Sequence, residues 1–206
     1  TELTDTLKGL LKERVVPELR RYGFKGSFPH LRRVRETHHD VLSFDFGTGH
    51  SAFLYVEVGA VPLEGRVFGA EVWPVTKVTA MHAESWRLGS VSNRDHWFEY
   101  GQFDEEHDTW VAPDPDSTSK IVDAILSLLE TQAEPWWNGS MASPKGRTLQ
   151  QVLAWTIEAN ELNRRRAGRR GRRADRLADA LVAVAGLPGG GEFWQRPPCP
   201  LAPDVL

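Results

Sequence analysis

His38-His39-Asp40 and, ten residues on, His50 are the residue types that hold a zinc or iron ion or pass a proton. Between them Leu42, Phe44 and Phe46 alternate with Ser43 and Asp45, the period of a strand with one buried face. A strand advances about 3.3 Å per residue, so the two groups stand roughly 25 Å apart at opposite ends, too far for one ion. The chain has no HExxH pair and one cysteine, Cys199. No metal and no cofactor are therefore assigned, and the histidines read as polar turn residues. Gly47-Thr48-Gly49-His50 is a hairpin turn: no helix follows it and no Gly-Lys-Ser/Thr accompanies it.

The residues between the apolar ones form a second set. Arg33, Arg35, Asp45, Tyr55 and Glu57 can occupy one polar sheet face, able to hold a small ligand or to meet a partner. The plainer reading is a solvated or helix-covered face with cross-strand ion pairs, each contributing about 0.2–1 kcal/mol. No nucleophile, base and orienting group fall into a motif, since Ser51, Ser85 and Ser90 stand outside any, so no catalytic residue is assigned.

Two charge runs complete the inventory. Asp104, Glu105, Glu106 and Asp108 lie between Phe103 and Trp110, with Trp97 and Phe98 just upstream. Such an acidic-aromatic loop suits a basic protein partner, the carboxylates steering and Trp97, Phe98 or Trp110 anchoring; an ordinary solvated loop is the alternative. Arg164, Arg165, Arg166, Arg169, Arg170, Arg172, Arg173 and Arg176 stand against one acid, Asp175, in thirteen residues. That segment carries +7, and with a net charge of -3 the rest of the chain carries -10. Nucleic acid, an acidic partner, docking on the chain's own acidic surface and plain solvation are all open readings.

These groups need elements to hold them. Leu3, Leu7, Leu10, Leu11, Val15 and Leu19 keep helical spacing, with a kink or break expected at Val16 before Pro17 and a stop at Gly23. Leu42, Phe44 and Phe46, then Leu54, Val56 and Val58, give strands whose apolar face this helix covers. Residues 66–112 read as short strands and loops, one or two joining the sheet and the rest an aromatic-rich connection. Asp114 to Ser117 opens a helix running to about Glu130. The fold class is thus α+β: an antiparallel sheet of about four to six strands, covered by an N-terminal and a later helix. A helical C-terminal extension follows, as one helix or as a hairpin around the arginines. The expected division is 1–138 as the α+β domain, 139–188 as the extension, opening with a linker of small and polar residues from Gly139 to Gly146, and 189–206 as a flexible Gly/Pro-rich tail.

With 206 residues, 40% of them hydrophobic, and eight tryptophans the chain has material for a core. No run approaches the roughly 20 apolar residues of a membrane span, and no secretory leader is read in the charged N-terminus. A lone cysteine fits the cytoplasm.

Several of these elements also carry a resemblance. They are Leu19-Arg20-Arg21-Tyr22-Gly23-Phe24-Lys25, Arg33-Val34-Arg35, the strands ending at Val58-Gly59, Trp86, Trp97, and the helix from Ile125 to Pro135 with its closing Pro-Trp. From Leu19 to about Trp136 the sequence resembles the DUF4304 family, a bacterial domain of unknown function. It departs at Asp45-Phe46-Gly47, where the family tends to a polar Gln-Lys-Ser-like segment, and residues after 140 lie outside it. The resemblance implies a fold and a bacterial setting, and no catalytic residue. The expectation is a cytoplasmic, non-enzymatic interaction domain of an immunity or regulatory kind, with a protein partner and no membrane. Nucleic-acid binding through the 164–176 segment and a small enzyme on the polar sheet face are the alternatives.

Overall fold

The structure, a computed structural model, describes residues 2–47, 52–112, 114 and 116–185, with side chains as far as 177. The alternating segments form strands. In chain order these are β1 (His30–Val34), β2 (His38–Phe46), β3 (Phe53–Pro62), β4 (Arg66–Phe68), β5 (Glu71–Trp73), β6 (Glu84–Arg87), β7 (Phe98–Glu99), β8 (Gln102–Asp104) and β9 (Thr109–Val111). The main sheet is antiparallel in the order β1-β2-β3-β6, and β7 pairs with the start of β3. β4-β5 and β8-β9 are separate two-stranded ribbons. The expected sheet size therefore holds, and the 66–112 stretch lends it two short strands. β2 begins at His38, not after Asp40, so His38, His39 and Asp40 are strand residues rather than turn residues. The Thr48 to His50 part of the hairpin lies outside the described residues.

Register assigns the faces. Leu31 pairs with Leu42, Leu42 with Val58 and Val58 with Trp86, so these four point the same way. That face meets α1 (Glu2–Leu10) and α2 (Val16–Arg21), joined by a π-helical turn at Leu11–Val15. Leu7, Leu11, Val15 and Leu19 are all buried in one core with Phe24, Phe44, Leu54 and Val56. Each is stabilising by about 1.5–3 kcal/mol relative to an exposed side chain. The opposite face is also partly covered: Val41 and Val61 pack under Val75, Val78, Ala80 and Trp73. Residues 41–44 are consequently buried on both sides, beyond the one-sided burial that alternation implies.

Pro17 does not break the first helix. The preceding π turn, where Val16 N–H bonds Leu11 O, opens the ladder that a proline cannot complete. The same device recurs where α3 (Ser117–Leu128) passes through a π turn at Leu129–Ala133 into α4 (Glu134–Trp137), with Pro135 two residues past that turn. Glu134 N–H there bonds Leu129 O.

Residues past 140 are more than a linker. Trp136 Nε1 donates to Arg147 O, Ser143 N–H to Arg147 O, and Leu149 and Val152 enter the main core. These last two open α5 (Leu149–Ala185), a single helix through the arginine run rather than a hairpin. Asn160 donates to Gly65 O and accepts from Val67 N–H, and Asn163 donates to Val67 O, so the helix serves the edge of β4 as a neighbouring strand would. The chain divides into units 1–164 and 165–206. The tail from Gly186, with Cys199, lies outside the described residues.

Candidate functional site

The five residues expected on one polar face are split by the register. Arg33 pairs with Asp40 and Asp40 with Ala60, on the face of Leu42 and Val58, while Asp45 pairs with Tyr55 on the other face. Arg33 and Arg35 therefore do not join Asp45, Tyr55 and Glu57. The two sets differ in parity along the paired strands, and a single position reverses a side chain's direction.

On the core side the arginines build a closed ionic cluster. Asp40, fully buried, takes Arg33 Nε and Arg35 Nε on Oδ2, each at 2.8 Å, and His38 Nε2 lies 2.9 Å from Oδ1. Glu134 of α4 meets Arg33 Nη2 at 2.7 Å and Arg35 Nη2 at 3.2 Å. Arg33 Nη2 lies 2.7 Å from an oxygen of each carboxylate without aiming an N–H well at either, so that contact is ionic more than directional. The guanidinium lies over the rings of Phe24 and Trp137, and Trp137 Nε1 donates to Gly59 O. Every charge is matched, and the cluster ties the β1-β2 hairpin to α4. Its chemistry is cohesion.

On the other face Asp45, Tyr55 and Glu57 do come together, joined by residues the sequence did not single out. Arg87 stacks over Tyr55 at 4.0 Å and reaches Glu57 at 3.4 Å, and Ser85 Oγ donates to Glu57 at 2.6 Å. His30 Nδ1 lies 2.9 Å from Ser43 Oγ. Asp45 Oδ2 is buried with no hydrogen-bond partner. Burial pushes the Asp45 carboxyl above its ordinary value; His30 acts the other way, Glu57 adds to the rise and Arg87 opposes it. This face sets a buried carboxyl without a hydrogen-bond partner beside an arginine-paired one. These cross-strand neighbours, His30 opposite Ser43 and Arg87 opposite Glu57, follow from the register and not from the sequence pattern. Among the described residues no group of three or more His, Cys, Asp or Glu is placed to hold a metal.

The acidic loop is the β8-β9 ribbon. Phe103 pairs with Trp110, their rings 5.6 Å apart, and Trp110 packs on the main core. Asp104 organises the turn: Oδ1 accepts from the N–H groups of Glu106 and His107, and Oδ2 meets His107 Nδ1 at 2.9 Å. The hydrogen bond from the His107 ring holds the Asp104 carboxyl below its ordinary value, with the backbone donors assisting. Glu105, Glu106 and Asp108 stand exposed. Trp97 is 45% exposed, its indole N–H on Glu99, and Phe103 is 40% exposed. Phe98 is not an anchor: it pairs with Leu54, points into the core and is 6% exposed. Phe103 takes its place among the exposed aromatics. The eight arginines of the 164–176 segment are exposed on α5.

The fold and these surfaces define an α+β domain with a paired ionic cluster inside and open surfaces that are acidic-aromatic on one ribbon and basic on one helix. The chain belongs to the DUF4304 family, a domain of unknown function, whose model matches residues 15–139. No curated protein and no solved structure matches it. The matched span runs from the first π turn to the end of α4 and holds the ionic cluster and the ribbon; the arginines lie beyond it. Among the described residues no helix is long and apolar enough to cross a membrane.

Proposed function

We propose that the protein is a non-enzymatic interaction domain, of an immunity or regulatory kind and cytoplasmic, that docks a basic protein partner on the β8-β9 ribbon. One observation carries this. From Asp95 to Ser119 the chain has eight carboxylates and no lysine or arginine, and its centre is the ribbon with Trp97, Phe103 and Val111 exposed. Glu99, Glu105, Glu106 and Asp108 are exposed in the same segment, and charges beside aromatic and aliphatic anchors are the anatomy of a protein interface. Rim charges raise the association rate and its salt dependence, and buried anchors set the dissociation rate. Asp104 contributes through the turn it fixes.

The test compares captures from a nuclease-treated native lysate by the immobilised wild type and by the triple variant Glu105→Lys, Glu106→Lys, Asp108→Lys. The expected result is a basic protein retained by the wild type at about 100 mM salt and lost by the variant. The same proteins on both, or none on the wild type, contradicts the proposal.

A further inference from the structure

The arginine run has no role in that docking, and its geometry is specific. Arg169, Arg172, Arg173 and Arg176 together line one shallow depression on the surface of α5. Their spacing of i, i+3, i+4 and i+7 places them on one side of a helix with 3.6 residues per turn, over roughly 10 Å of its length. All four are exposed, and among the described residues none has a carboxylate partner, Asp175 included. Like charges this close repel, and two glycines, Gly168 and Gly171, sit in the same helical stretch at a cost of about 0.5–1 kcal/mol each. Neither glycine is required by packing, since a Cβ at Gly171 would touch nothing and one at Gly168 only Arg172. The helix accepts both costs and keeps a row of guanidinium groups that no described carboxylate pairs.

From this row we infer that the 165–177 part of α5 binds the phosphate backbone of double-stranded nucleic acid without reading sequence. The residues between the arginines are Ala167, Gly168, Gly171, Ala174 and Asp175, so the arginine row itself offers charge without an aromatic or large aliphatic anchor, with the exposed Leu177 at its end. A protein interface needs such anchors and a polyphosphate does not. Every cation here is arginine, whose planar fork holds two phosphate oxygens at once. No Asn, Gln, Ser or Thr follows Asn163 before Leu177, so the usual adenine readers are missing and arginines on phosphates carry no sequence information.

The experiment measures fluorescence anisotropy of a labelled random-sequence DNA duplex of about 20 base pairs, with the full chain, across a salt series. Four phosphate contacts give a slope of about -3.6 in log affinity against log salt, a loss of about 150-fold between 50 and 200 mM. Replacing all four, Arg169→Ala, Arg172→Ala, Arg173→Ala and Arg176→Ala, lowers affinity at 50 mM by about 100-fold or more, with helix content by circular dichroism retained because alanine favours helix. Arg→Lys at the same positions keeps the charge and retains binding within about tenfold. No duplex binding at 50 mM, a slope shallower than about -1, or undiminished binding by the alanine variant overturns the inference. Retention of poly-glutamate with no retention of duplex also overturns it, and identifies an acidic protein as the occupant.

Discussion

Asp40→Asn keeps the side chain's size and removes one charge from the buried cluster. In the wild type Asp40 Oδ2 takes an N–H from each of two arginines while Oδ1 faces His38. An asparagine offers one acceptor oxygen and turns an amide N–H₂ toward groups that also donate. Arg33, 8% exposed, then depends on Glu134, whose side chain is 18% exposed. Removing one member of a buried pair costs about 3–5 kcal/mol, and the surviving Glu134 contact puts this variant near the lower end. For a chain of this size that is a fall in Tm of roughly 6–12 °C, out of a total stability of about 5–15 kcal/mol. Urea denaturation reads it directly, with the midpoint lowered and the slope unchanged. The double variant Arg33→Met, Asp40→Leu removes the unpaired charge with the pair and is predicted to be more stable than Asp40→Asn. A loss below about 1 kcal/mol for Asp40→Asn, or a double variant weaker than the single one, refutes the reasoning.

Asn160→Ala leaves Val67 N–H of β4 and the preceding Gly65 O without this partner, and urea denaturation should show a loss of about 2–4 kcal/mol. Phe98→Ala opens the core and is expected to cost about 3–5 kcal/mol, while Phe103→Ala changes stability by less than about 1 kcal/mol and weakens the partner complex; melting curves of both, with capture, separate the roles. Asp45→Asn should raise Tm at pH 7. A carboxyl whose folded pKa is raised contributes its stability below its ordinary value, 3.8, and loses it as pH rises through the folded one, so the variant's advantage closes toward pH 4 and vanishes below. A Tm difference independent of pH would show that folding does not raise the Asp45 pKa.

Much of the fold was legible because its signals are local. The alternation of Leu42, Phe44 and Phe46, and the leucine stripe from Leu7 to Leu19, each specify a face by period alone. What alternation cannot supply is register: whether Arg33 opposes Asp40 or a neighbour decides which face holds it, and that depends on where the β1-β2 connection turns. The bond of Asn160 to β4 joins residues more than ninety positions apart and leaves no mark in composition. Small polar residues from Gly139 to Gly146 looked like a linker, yet Ser143 and Trp136 bond around Arg147 and hold the segment to the domain. Phe98 and Phe103 are indistinguishable by type; one two-residue pairing with Leu54 buries the first. The residues behind the family resemblance, Phe24, Arg33, Arg35 and Trp136, are shown by their neighbours to serve cohesion: the first three join the ionic cluster and Trp136 packs edge-on to Trp86.

The most direct test of the docking account is amide hydrogen-deuterium exchange of the full chain, free and in complex with the basic protein it captures. The account predicts slowed exchange at Trp97 to Glu99 and across β8 and β9, with the polar face around Tyr55 and Arg87 unchanged. Protection on that face, with the ribbon exchanging as in the free protein, would contradict it.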